Sequence, residues 1–190
     1  MAQDLNNLQV AILIADGFEQ REMTEPREAL ENAGAVTKIV SPAKDEVEGW
    51  NHFDKGDKFP VEVPLDRASA EDFDALLLPG GVANPDQLRM KPEAVKFVKD
   101  FFDAGKPVAV ICHGPWTLVE AGVVKGKTIT SWPSVKTDLI NAGANWVDKE
   151  VVVDSGLVSS RKPDDIPAFN QKMIEEFSEG IPQSRRAATK

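Results

Sequence analysis

The chain has 190 residues, is 42% hydrophobic and 28% charged, and carries a net charge of −9. That length reads as one domain over 1–190 with a sizeable core, and the acidic balance excludes general binding to nucleic acid or an anionic membrane, which needs a basic face. One cysteine and two scattered histidines exclude an internal disulfide, a C-x-x-C redox motif and a clustered metal site, so no metal or cofactor is expected. No charged-then-apolar leader opens the sequence and no apolar run is long enough to span a bilayer, so the expected location is the cytoplasm.

In chain order, "LQVAILIAD" (8–16) is a nearly continuous apolar run, as in a strand buried on both faces. "MTEPREALENAG" (23–34) predicts a helix with Gly34 as its C-terminal cap. "AVTKIVSP" (35–42) predicts a second strand. The charged stretch 43–67 predicts a short hairpin or excursion around "KFPVEVPL", and His52 within it reads as a surface or subunit-contact residue. "FDALLLPGG" (73–81) is a third buried strand ending in paired glycines. The helix expected over 91–107 spaces Val95, Val98, Phe101 and Phe102 along one face.

"PVAVIC" is the fourth main strand, with a short helix after it over 115–122. A brief strand at "KTITS", a helix at "PSVKTDLINAG", a hairpin in "EVVVDSGLVSS" and a last helix in "DIPAFNQKMIEEFSEG" complete the chain; "QSRRAATK" reads as a solvated tail. Buried strands alternating with helices mean an α/β fold with a doubly wound, mainly parallel sheet.

In such a sheet the functional crevice lies beyond the carboxyl ends of the strands. That rule selects "ADGFEQRE" with Asp16, Glu19 and Glu22, "PGGVANPDQ" with Gly80, Gly81 and Asp86, and "CHGP" with Cys112 and His113. Cys112 reads either as a buried structural thiol or as a nucleophile raised on a sharp strand-to-helix turn. Helix placement alone does not ionise it: moving a thiol from about 8.5 to about 5.5 takes roughly 4 kcal/mol, and a helix terminus supplies about 0.3–1. A further donor or positive charge is needed. His113 reaches the thiol only if the turn at 112–114 is irregular, because successive residues on a regular helix face apart.

Glu19 raises the thiol's pKa if ionised beside it and acts as a donor if protonated. Gly80 and Gly81 read as a tight turn or as oxyanion donors, and Asp86 as a turn or capping residue.

Four segments carry a resemblance: "FE" (18–19), "FDALLLPGG" (73–81), the block from "KPVAVICHGPWTLVEAGV" to "NWVD" (106–148), and "EVVVDSGLVSSRKPDDIPAF" (150–169). Over residues 8–178 the chain resembles the PfpI family of intracellular protease I homologues. That family falls in the class I glutamine amidotransferase-like superfamily, with the parkinsonism-associated deglycase. The resemblance implies a flavodoxin-like sandwich with Cys112 as nucleophile, Glu19 hydrogen-bonded to its thiol, His113 as partner, and Gly81 and His113 backbone near an oxyanion position. It further implies a homo-oligomer, at least a dimer, in which Asp86 completes the neighbouring subunit's Cys-His pair.

The activity so implied is that of a stress-related, cysteine-dependent hydrolase with peptidase, deglycase or glyoxalase-like action on small, peptide or glycated substrates. The alternative is a non-enzymatic stress protein or redox sensor acting through oxidation of Cys112. A glutaminase role is excluded: those enzymes need a histidine well downstream of the cysteine, and none follows His113.

Overall fold

A computed structural model describes residues 5–180; the tail at 183–190 lies outside them. Strand β1 (Gln9–Leu13) is buried on both faces, with Val10 and Ile12 in one apolar layer and Ala11 and Leu13 in the other. After it come β2 (Phe18–Glu19), helix α1 (Gln20–Asn32) and β3 (Val36–Ser41). The charged excursion folds as a hairpin, β4 (Glu46–Asn51) and β5 (Asp54–Pro60), before β6 (Val63–Pro64). Next are β7 (Ala75–Leu78), α2 (Ala83–Arg89), α3 (Pro92–Asp103), β8 (Val108–Ile111) and α4 (Pro115–Ala121). The remainder is β9 (Thr128–Ile129), α5 (Lys136–Asn141), β10 (Asn145–Trp146), β11 (Val151–Asp154), β12 (Leu157–Ser160) and α6 (Ile166–Glu179).

The main sheet runs β11-β12-β8-β7-β1-β3-β6, parallel except for β11. Helices α2 to α5 cover one face through Leu88, Phe97, Phe101, Leu118 and Leu139. On the other face α1 and α6 pack Met23, Leu30, Phe169, Met173 and Phe177. This is the flavodoxin-like, doubly wound α/β architecture. Strand order switches between β1 and β7, with β3 added on one side of β1 and β7 on the other, so the crevice of the fold opens where the β1, β7 and β8 loops meet.

Four elements differ from the sequence expectation. Helix α1 begins at Gln20 rather than 23, and the loop after "PGG" contains α2. The hairpin starts at Glu46, ahead of the expected "KFPVEVPL", and pairs with β2 in a separate three-stranded sheet. The buried stripe of α3 is Ala94, Phe97, Val98 and Phe101, with Val95 and Phe102 at its margin. Each reflects tertiary pairing that local periodicity does not encode.

Candidate active site at the β8 elbow

Cys112 stands immediately after β8 with φ of +62°. That left-handed conformation is strained for a side chain with a Cβ, by about 1–3 kcal/mol. Its surroundings hold it there: the Cys112 N–H donates to the Ser160 carbonyl at 3.0 Å, and its carbonyl accepts from Trp132 N–H at 2.9 Å. Gly114 then lets the chain turn into α4, since a Cβ there would lie 2.8 Å from Val110 Cγ2 and 2.9 Å from the Leu78 carbonyl. The turn is irregular, and it brings His113 Nδ1 to 3.2 Å from Cys112 Sγ. On its other side His113 Nε2 lies 3.3 Å from Ser134 Oγ. The ring stacks on Trp132 at 5.9 Å and meets the edge of Trp116 at 5.2 Å.

The carboxylate expected against the thiol is Glu19. The structure places Glu22 there instead. Glu22 is fully buried and interacts with the Cys112 side chain, and its Oε2 accepts from Gly80 N–H at 2.9 Å. Glu19, on β2, accepts from the His52 backbone N–H at 3.0 Å, with the exposed His52 ring nitrogen Nδ1 at 3.6 Å. The reason is the earlier start of α1. Beginning at Gln20, the helix turns Glu22 inward on the stripe of Met23, Pro26 and Leu30. A carboxylate within a buried helical stripe is the signal that would have singled it out.

Gly80 also departs from its expected oxyanion role. Its N–H is committed to Glu22, and its carbonyl accepts from Asn84 Nδ2 at 2.9 Å. Gly81, with φ of +79°, directs its N–H to the Cys112 sulfur, as does the His113 backbone. No Cβ fits at Gly81, where it would meet Glu19 N and the Gly17 carbonyl at 2.6 Å. Asn84, which the sequence reading did not single out, is fully buried and ties this loop to the one after β1 by accepting from Ala15 N–H at 2.7 Å.

The electrostatics follow from burial. Desolvation pushes Glu22 up to about 8, opposed by the Gly80 N–H and reinforced by the charge of Glu19. Desolvation, then the negative charge of Glu22, drive the Cys112 thiol well above its ordinary value, while the N–H groups of Gly81 and His113 pull it down. Both Glu22 and Cys112 therefore hold their protons at neutral pH. Once neutral, Glu22 no longer repels a thiolate, and its proton becomes a donor to sulfur. Burial also pushes His113 down to about 4, so the ring is neutral and one of its two nitrogens is free to accept a proton.

Asp86 lies exposed on α2 in a groove with Arg89, Met90, Val95 and Glu120. Among the described residues the hydrogen-bonding partners of the His113 ring are Cys112 and Ser134, and neither is an acid. Nor do the described residues contain a group of three or more side chains that could hold a metal ion, or a helix long and apolar enough to cross a membrane.

The family model described as DJ-1/PfpI matches residues 8–176. The chain belongs to the DJ-1/PfpI family. It is 45% identical over 166 residues to the Bacillus subtilis protein named "Putative cysteine protease YraA", covering 87% of this chain and 95% of that one. To a deglycase of Pyrococcus abyssi it is 41% identical over 167 residues, covering 88% and 98%. Among solved structures, Drosophila melanogaster DJ-1beta superposes with a TM-score of 0.80 at 25% identity, covering 92% of this chain and 95% of that one. A two-domain Anabaena variabilis protein with DJ-1/PfpI-like and ferritin-like domains gives 0.84 at 31% identity; 93% of this chain matches half of its length. Both solved structures share the parallel-sheet sandwich on which the elbow is built.

Proposed function

We propose that this DJ-1/PfpI protein is a cysteine-dependent hydrolase acting on peptides or glycated small molecules, with Cys112 as nucleophile. The single observation that carries this reading is the strained elbow: φ of +62° at Cys112 with His113 Nδ1 3.2 Å from the sulfur. Neutral His113 takes the thiol proton at Nδ1 as the sulfur attacks an electrophilic carbon. The thiolate is supported meanwhile by the Glu22 proton and by the N–H groups of Gly81 and His113. Those two N–H groups border the position where an oxyanion on that carbon would form. The names of the protease and deglycase relatives support the reaction class.

Asp86, exposed on α2, is proposed to complete the site of a second subunit, where a carboxylate would stabilise the imidazolium formed by the proton transfer. The redox-sensor reading has less support, because sensor cysteines are accessible and acidic, whereas Cys112 is 7% exposed and its thiol is pushed up. The test is turnover of a peptide and of a methylglyoxal adduct by Cys112→Ser. A loss of about 10³-fold or more is expected on at least one substrate; unchanged turnover on both overturns the assignment.

A further inference from the structure

A neutral histidine has two tautomers, and only one of them leaves Nδ1 able to accept a proton from Cys112. Which nitrogen carries the hydrogen is set by the hydrogen bond made at the other end of the ring. The far nitrogen here faces a hydroxyl of the same chain, 3.3 Å away, on the turn that precedes α5. The same segment supplies Trp132, which stacks on the ring and whose N–H fixes the Cys112 carbonyl. Residues 132–134 thus hold both the elbow and its base.

We propose that Ser134 is a positioning residue which, by accepting from Nε2–H, holds His113 in the tautomer whose Nδ1 lone pair faces the Cys112 thiol. This rests on the proposed role of His113 as the base. The proton transfer then breaks the Sγ–H bond and forms Nδ1–H, giving a thiolate and an imidazolium whose Nε2–H stays on Ser134 Oγ. A carboxylate in the far position would do something different: it would favour the charged ring. Ser134 sets the tautomer of the resting site, and the partner's Asp86 acts on the cation that forms later. Division of the two tasks explains how a site in one protomer is oriented with no acid bonded to its histidine.

The experiment is nitrogen NMR of the full chain labelled with ¹⁵N-histidine, together with iodoacetamide alkylation of Cys112 from pH 6 to 10. With two histidines in the sequence, exposed His52 serves as the internal reference for His113. The wild type is expected to show an unprotonated Nδ1 and a protonated Nε2 on His113. In Ser134→Ala the two tautomers are expected to mix and alkylation at neutral pH to slow about tenfold, the scale of one hydrogen bond. Ser134→Thr keeps the hydroxyl and is expected to restore both readouts. Asp86→Asn is expected to leave the tautomer unchanged.

A His113 spectrum and alkylation profile unmoved by Ser134→Ala overturn the proposal. So does a tautomer shift in Asp86→Asn as large as in Ser134→Ala. Because the spectrum reads the ring with no substrate present, a failed hydrolase assignment would leave this result standing, and the two failures are distinguishable.

Discussion

At the residue scale the site is governed by two buried groups that share an interest in one proton. Glu22 is pushed up to about 8 and Cys112 is raised as well, since neither anion finds water in the elbow. The consequence for stability has a definite sign. A carboxyl whose pKa is raised in the folded state binds its proton more tightly there than in the unfolded chain. Stability is therefore lost as pH climbs from about 4.5 towards 8. Glu22→Gln carries no such charge and is expected to gain on the wild type by a few kcal/mol between those limits, with little difference near pH 4. Urea melts at pH 4, 6 and 8 check this; a gap that does not widen with pH would show that Glu22 is ionised in the fold. The position of Glu22 was legible in the sequence only to a reader who began α1 at Gln20. The "FE" pattern drew attention to Glu19, three residues away on a different element.

Elements determine how tightly the residues are held. The loop after β7 and the turn after β8 approach so closely that a Cβ on Gly80 would fall 2.6 Å from Glu22 Oε2, 2.7 Å from Cys112 Cβ and 2.8 Å from the Ile111 carbonyl. Two of those atoms belong to the site and the third is backbone, so little can give way. Gly80→Ala is expected to cost about 1–3 kcal/mol and to change the reactivity of Cys112. Gly105, at the end of α3, makes a useful control: its φ is +64° with no atom within 4 Å of a Cβ. Gly105→Ala should cost about 1 kcal/mol through backbone strain alone and leave Cys112 alkylation as in the wild type. Thermal melts and alkylation rates of the two variants separate packing from conformation. Equal effects on alkylation would remove the claim that Gly80 is tied to the site. "PGG" advertised a turn in the sequence, but which glycine served which neighbour depended on the β1, β7 and β8 loops converging.

For the whole molecule the site turns on where its acid comes from. Asp86 is exposed in a groove of about 900 Å³ on α2 and α3, and His113 of its own protomer already has two partners. If Asp86 serves a second subunit, mixing Cys112→Ser with Asp86→Asn chains should regain activity that neither has alone. Half the dimers in a random mixture are hybrids and each has one intact site. Recovery to about a quarter of wild-type turnover is therefore expected. No recovery after subunit exchange, verified by light scattering or native mass spectrometry, would mean that Asp86 acts within its own chain or has no part in the site.

The sequence by itself determined the α/β layers, the strands that end at the crevice, and the placing of Cys112 and His113 together at the turn after β8. Those features are written in local patterns: continuous apolar strands, helical stripes and glycines at chain reversals. Tertiary structure alone decided that Glu22 rather than Glu19 meets the sulfur, that Gly81 and not Gly80 offers its N–H, and that Ser134 stands behind His113. Each of those contacts joins segments far apart in the chain, and which atoms meet depends on a helix start, a register or a turn being displaced by a single residue. Local periodicity does not carry that information, because one residue along a helix rotates a side chain by about 100° and one along a strand moves it to the other face.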